Sequence, residues 1–241
     1  MKLNNKIHIW DKMAKSFHEM SSRSVVLKDR YSKIAKIIVK VNPSSILDLG
    51  CGSGLLEKEL LKNNFTGKIC AIDASSEMLK LAKAACGHSV DFIKQDLNDS
   101  INLQARFDIV VAINVMFFLD DKERFLNEVK NLLKNENSLF ILINPKSNDE
   151  SSIIQFIKDH FKSTTFIEKF FIVLNEITNL PKYYRMITGQ AQLWRMSKKG
   201  EIIFHKKDDI LEISKKVGLI VDLAEDYRTS QSWLFIMRRG K

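Results

Sequence analysis

The residues of this chain with the clearest chemistry are three aspartates, at the ends of three consecutive expected strands, and one glycine-rich turn. Ile46-Leu47 leads into Asp48-Leu49-Gly50-Cys51-Gly52-Ser53-Gly54, with glycines at alternate positions ahead of a helix-like segment. Glycine lets the backbone take positive φ and lets a ligand approach main-chain atoms that a Cβ would shield. The helix start behind it presents unpaired N–H groups. A turn of this kind is suited to holding a cofactor. A dinucleotide fingerprint reads G-x-G-x-x-G, whereas Gly50, Gly52 and Gly54 read G-x-G-x-G and position 55 is Leu. A phosphate-cradling loop needs Gly-Lys-[Ser/Thr], and Gly67-Lys68 runs into Ile69. Asp48 suits instead a ligand with cationic groups, such as an ammonium and a sulfonium on one small molecule.

Lys68 to Asp73 reads as a short buried strand ending in a carboxylate, roughly 20 residues past the glycine turn, where an α/β nucleotide fold is expected to place its ribose-binding acid. Asp91 to Leu97 reads as another strand, with Asp96 placed to accept from an adenine amino group while Leu97 offers its N–H. One aspartate after a strand is most often a turn residue or helix cap. Three in order, behind the glycines, are more specific.

On these residues the chain resembles the class I S-adenosylmethionine-dependent methyltransferases, in their small-molecule (type 11/12-like) branch. The resemblance rests on DLGCGSG at 48–54, AIDASSEMLKLAK at 71–83, QDL at 95–97 and FDIVVAINVMFFL at 107–119, and is strong over about 40–145. It implies S-adenosylmethionine as cofactor and S-adenosylhomocysteine as product. The glycine turn would wrap the methionine part, Asp73 would hold the ribose hydroxyls, Met78 would pack on the adenine and Asp96 would meet its amino group. The expected cofactor-binding set is Asp48, Gly50, Cys51, Gly52, Asp73, Ala74, Met78, Asp96, Leu97 and Asn114. Asn114, after the fourth strand, is either a cofactor contact near the sulfur or a strand-end residue satisfying loop backbone.

The elements that must position these residues alternate. Strands are expected at about 45–49, 68–73, 90–94, 107–113 and 138–144, with helices at Arg30 to Val41, Leu55 to Asn63, Ser76 to Ala85 and Lys122 to Leu133. Ser75 or Ser76 is the expected cap of the third helix. Such alternation means a parallel sheet covered on both faces, with ligands at the carboxyl ends of its strands. Leu219 to Ala224 and Trp233 to Arg238 read as two further strands. The expected fold is α/β: a Rossmann-like doubly wound sheet of seven strands, with a C-terminal antiparallel hairpin and a helical lid insertion after the fifth strand.

The chain reads as a single domain, 1–241: N-terminal helices over the site (1–42), a cofactor-binding core (43–145), a helical lid (146–205) and a C-terminal helix with the strand pair (206–241). Within the insertion, Ile153 to Phe161 and Phe166 to Leu174 look helical, and aromatics with Met concentrate around Tyr183, Tyr184 and Trp194. Such a segment either covers an adaptable apolar pocket or packs as core or a dimer interface. Phe117, Tyr183, Tyr184 and Trp194 are the candidate substrate contacts.

The sulfonium methyl is already activated, so the protein contributes mainly alignment, with a general base where the nucleophile must lose a proton. Among five histidines, His18 is the candidate, on a segment (Trp10 to His18) that resembles one closing over the cofactor in related enzymes. Its alternative is a solvent-facing helix residue. The 241 residues carry a net charge of +9 and are 45% hydrophobic. The lysines are spread along the chain, so a nucleic-acid partner is not expected. The run after the fourth strand, Asn114-Val115-Met116-Phe117, is not the Asn/Asp-Pro-Pro-aromatic run expected of a DNA amino-methylating enzyme. Three unevenly spaced cysteines suggest no disulfide framework, and no metal site is expected. With no signal-peptide pattern and no long apolar run, a cytoplasmic monomer or homodimer without membrane contact is expected. The function expected is methyl transfer to an oxygen, or a nitrogen, of a small organic metabolite, within specialised-metabolite biosynthesis. The alternatives are an RNA or protein methyltransferase and a non-catalytic S-adenosylmethionine-binding protein.

Overall fold

The computed structural model describes residues 3–23, 25–146, 184–227 and 232–240. Two helices, α1 (Leu3–Arg23) and α2 (Val25–Val41), precede an alternating run of β1 (Ser45–Leu49), α3 (Leu55–Lys62), β2 (Lys68–Asp73), α4 (Ser76–Cys86), β3 (Asp91–Lys94), β4 (Ile109–Ile113), α5 (Lys122–Leu132) and β5 (Leu139–Pro145). After the next described helix, α6 (Tyr184–Lys198), come α7 (Lys207–Lys216), β6 (Leu219–Tyr227) and β7 (Ser232–Arg239). The expected helices at 153–161 and 166–174 lie outside the described residues.

The strands form one sheet in the order β3-β2-β1-β4-β5-β7-β6. β1 to β5 are parallel, and β7 runs antiparallel between β5 and β6. The seven-stranded fold with its C-terminal antiparallel hairpin is therefore the one the sequence implies. Successive strand side chains point to opposite faces, and the buried residues sort accordingly. Leu47, Val110, Ala112, Phe140 and Leu142 pack with α5 and α7 residues on one face. Ile46, Ile109, Val111, Ile141 and Ile143 pack with α2, α3 and α4 residues on the other. Every residue of β4 is buried, as expected of a central parallel strand covered on both faces.

Local chemistry sets the boundaries. The Ser75 side chain accepts from Met78 N at 3.1 Å and starts α4, and Asp121 accepts from Arg124 N at 2.8 Å and starts α5. β4 begins at Ile109, two residues later than the apolar pattern suggests, because Phe107 makes an isolated bridge to Leu133. The Asp108 carboxylate in turn accepts from the backbone N–H groups of Ser44 and Ser45 at 3.0 Å each.

A third apolar cluster lies over the carboxyl end of the sheet. Ile9 and Met13 of α1 meet Leu193 and Met196 of α6, with Phe117, Ile202 and Phe204. Gly189 belongs to this contact, since a Cβ there would overlap the Met13 side chain. Thus α1 is held between α6 and the strand tips. Among the described residues no helix is long and apolar enough to cross a membrane.

Candidate functional site

The order of the sheet reverses between β1 and β4, and at that point the strand ends leave a crevice. The backbone takes three left-handed steps there, with φ of +83° at Gly50, +57° at Gly52 and +76° at Gly54. A Cβ at Gly54 would stand 2.9 Å from Ala82 Cα of α4, whereas a Cβ at Gly52 would meet nothing within 4 Å. One glycine therefore permits close helix packing and the other keeps the crevice open. The turn is tied to β2 by hydrogen bonds from Gly50 N (2.8 Å) and Cys51 N (3.0 Å) to Ile72 O.

The three aspartates line a single cavity with a volume of about 160 Å³. Asp48 is 3% exposed, and its Oδ1 receives no hydrogen bond. Burial, followed by the nearby Glu57 charge, pushes its carboxyl well above the usual range. Asp73 accepts from Gly52 N through Oδ2 and from Ser75 N through Oδ1, both at 2.8 Å. Burial raises its carboxyl and these bonds oppose the rise. A carboxylate has about four lone-pair sites, so Asp73 keeps acceptor capacity for hydroxyl groups. Asp96 accepts from Asn98 N at 2.9 Å. Gly50, Cys51, Gly52, Ala74, Met78, Leu97 and Asn114 share the cavity with them. The Cys51 thiol is pushed well above its ordinary value, first by burial and then by Glu57, Asp73 and Asp48, so it stays protonated. Asn114 has φ +59°, donates its N–H to Ile143 O at 2.8 Å, and leaves its buried Oδ1 without a donor. Orphaned acceptors on Asp48 and Asn114, beside the open space at Gly52, fit a ligand that brings ammonium or amine donors.

The opposite wall is apolar. Ile7, Trp10 and Phe17 of α1, with Val115, Phe118 and Leu119, face the same cavity. Trp10 meets Phe17 and Phe118 edge-on, at 5.6 and 5.5 Å between ring centroids. Polar contacts fasten α1 on both sides. Asp11 accepts from Ser75 Oγ at 2.6 Å and from Glu77 N at 3.3 Å, and Lys6 Nζ donates to Phe118 O (3.1 Å) and Asp120 Oδ1 (2.7 Å).

Three expected site residues, Phe117, Trp194 and His18, stand elsewhere. Phe117 is buried and stacked on Phe204 at 4.8 Å rather than lining the cavity. The short 3-10 turn Met116–Phe118 rotates each residue by a third of a turn, so Phe118 takes the cavity side. Trp194 is 43% exposed with Lys198 beside its ring, because Leu193 and Met196 hold the inner face of α6. Tyr183 lies outside the described residues, and of Tyr184 only the place at the start of α6 is described. His18 also stays off the cavity. Trp10 and Phe17 are seven apart and share a helical stripe, which turns His18 aside, where burial and then Lys58 lower its pKa. Sequence reasoning missed Lys6, Tyr31, Phe118 and Asn98 as lining residues and passed over Glu57, which is 0% exposed. For Glu57 the available signal was its place beside Leu56 and Leu60 on the apolar stripe of α3.

This sheet order, with acids at successive strand tips around a glycine turn, is a Rossmann-like α/β architecture of the kind found in S-adenosylmethionine-dependent methyltransferases. Residues 46–136 match the family described as Methyltransferase domain, and this segment belongs to it. A malonyl-[acyl-carrier protein] O-methyltransferase of Halalkalibacterium halodurans is 32% identical over 132 residues, 53% of this chain and 47% of that protein. A demethylmenaquinone methyltransferase of Thermotoga maritima is 32% identical over 111 residues, 46% of this chain and 48% of its own length. The chain thus spans about half the length of the curated relatives it matches. The fold is shared with a S-adenosylmethionine-dependent methyltransferase from Clostridium acetobutylicum (TM-score 0.58, 17% identity, 99% of both chains). It is shared also with magnesium protoporphyrin IX methyltransferase of Synechocystis PCC 6803 (TM-score 0.56, 17% identity, 88% of this chain and 83% of that one).

Proposed function

We propose that this chain binds S-adenosylmethionine along the tips of β1 to β4 and passes its methyl group to an oxygen, or a nitrogen, of a small organic acceptor beneath α1. The observation that carries the reading is the union in one cavity of Asp48, Asp73 and Asp96 with a wall of Trp10, Phe17 and Phe118. The cofactor, when bound, supplies a methyl group activated by positive sulfur. Asp48 and Asn114 have buried oxygens free to accept from its ammonium group. Asp73 accepts the ribose hydroxyls while keeping its bonds to Gly52 and Ser75. Asp96 and the Leu97 N–H take the adenine edge, with Met78 packed against its face. Apolar closure by α1 excludes water and holds the acceptor in line.

Oxygen is favoured over nitrogen because an aromatic wall suits a hydroxylated or carboxylated organic acceptor. The demethylmenaquinone methyltransferase named above supports a small-metabolite acceptor, and the malonyl-[acyl-carrier protein] O-methyltransferase supports oxygen as the atom that is methylated. A role in specialised-metabolite biosynthesis follows as part of the proposal. The test is incubation of the protein with methyl-labelled cofactor and fractionated metabolites, followed by mass spectrometry. The expected result is label in one small product with equimolar S-adenosylhomocysteine. Label found only in RNA or protein, or no transfer with the cofactor bound, would overturn it.

A further inference from the structure

The cofactor reading gives Asp48 a task and leaves Glu57 with none. Glu57 lies in the first turn of α3, two helical residues past the glycine turn, and is wholly buried. Its carboxyl lies within hydrogen-bonding reach of Asp48. No protein donor reaches Glu57 Oε1, Glu57 Oε2 or Asp48 Oδ1. Two carboxyl groups in contact need a proton between them to bond, and without it they repel. The groups facing the pair from neighbouring elements do not relieve this. Asp73 at the end of β2 adds charge of the same sign. Tyr31 of α2, Cys51 of the turn and Cys86 of α4 all feel the Glu57 charge and are themselves held neutral by burial. The nearby cations, Arg30 and Lys58, act on Tyr31 and Cys86. Burial pushes Glu57 up to about 7 and holds the Asp48 carboxyl well above the usual range, so a proton stays between them at neutral pH.

Asp48 lines the cavity and Glu57 stands behind it, so charge entering the cavity is felt by both. Both the methyl donor and its product bring the ammonium group to Asp48, and the donor adds a sulfonium where the product has a neutral thioether, so the donor carries one more positive charge into the cavity. We infer that Asp48 and Glu57 hold one proton between them in the ligand-free protein and release it to solvent when the cationic donor binds, so that the pair favours the methyl donor over its demethylated product. The inference rests on the cofactor reading proposed above. It makes Glu57 a positioning residue acting through Asp48, and gives donor affinity a steeper pH dependence than product affinity. The sign follows from linkage: a ligand that binds best to the deprotonated pair binds more tightly as pH rises through the pair's ligand-free range, by at most about ten-fold per pH unit.

The test is calorimetric titration of the full chain with S-adenosylmethionine and with S-adenosylhomocysteine, at one neutral pH in phosphate and in Tris, and then across pH. The expected result is a binding heat that depends on buffer for the donor and much less for the product, with donor affinity rising several-fold from about pH 6 to about pH 8. Glu57→Gln, which keeps the shape and can donate to Asp48, is expected to bind the donor with no proton release and a flat pH profile. If that variant does not fold, an infrared carbonyl band of a protonated carboxyl in the wild-type protein, lost on adding the donor, supports the same conclusion. Buffer-independent heats and parallel pH profiles for the two compounds would overturn the inference and leave the cofactor reading standing. Failure of either compound to bind at any pH would overturn both.

Discussion

Gly52 and Gly54 stand two residues apart in one turn, both with positive φ, yet alanine at each is expected to harm a different property. At Gly54 two effects add. A non-glycine residue in the left-handed region costs about 1–2 kcal/mol, and the new Cβ would sit 2.9 Å from Ala82 Cα and 3.0 Å from Ala82 Cβ. The first of these neighbours is helix backbone and cannot swing away, so overpacking adds about 1–3 kcal/mol. The total for Gly54→Ala is about 2–5 kcal/mol, which for a chain of this size lowers Tm by roughly 5–15 °C. At Gly52 only the conformational cost of about 1–2 kcal/mol applies, because nothing lies within 4 Å of the added carbon. There the methyl group projects where the ligand must approach, and affinity for S-adenosylhomocysteine is expected to fall by about ten-fold or more, some 1.4 kcal/mol per decade. Urea unfolding of the ligand-free variants and calorimetric titration of each give the two numbers separately. The reasoning is refuted if Gly54→Ala unfolds within about 0.5 kcal/mol of the wild type, or if Gly52→Ala binds the ligand as tightly as the parent.

Further outcomes follow from the same site. Asp73→Ala is expected to weaken cofactor binding by about 1–3 kcal/mol through loss of a charged acceptor, and unchanged calorimetric affinity would contradict its role. Trp10→Ala removes the centre of the aromatic wall and should raise the acceptor KM about ten-fold while shifting cofactor affinity far less, as read by steady-state kinetics. Lys6→Met breaks the bonds to Phe118 O and Asp120. Faster hydrogen exchange in α1, with the sheet core unchanged, is the expected readout. Burial pushes Tyr31 up to about 12, above its unfolded value of about 10. The folded state therefore favours the neutral phenol, and its contribution, full below about pH 10, is lost as pH climbs toward 12; Tyr31→Phe should flatten that loss in urea melts at pH 9 and 11.

Much of the frame was legible because buried parallel strands read as unbroken apolar runs. Ile46-Leu47, Ile69 to Ile72 and Ile109 to Ile113 could hardly be anything else, and the residues that close them, Asp48, Asp73 and Asn114, mark the cavity rim. What escaped the reading was rotational phase. The resemblance of Trp10 to His18 to a covering segment puts α1 over the site, but the stripe carrying Trp10 and Phe17, and not the neighbouring His18, faces inward because Ile9 and Met13 are claimed by α6. The same ambiguity put Phe117 where Phe118 stands, since a single 3-10 turn has no repeat from which to judge its phase. Glu57 was hidden for a different reason. A charged residue on a helix reads as solvated by default, which outweighed its place on the apolar stripe of α3, and the fold leaves both of its oxygens buried without a donor.

The chain lays down its sheet in one sequence and stacks it in another. β7, the last of the seven described strands in chain order, belongs between β5 and β6. During translation β5 must therefore wait as a bare rim, and β6 has no hydrogen-bonding neighbour, until the stretch from Ser232 to Arg239 leaves the ribosome and wedges itself between them. Nascent chains halted short of that point would expose a pairing edge to other polypeptides. Protection by a chaperone would matter most until that stretch has emerged.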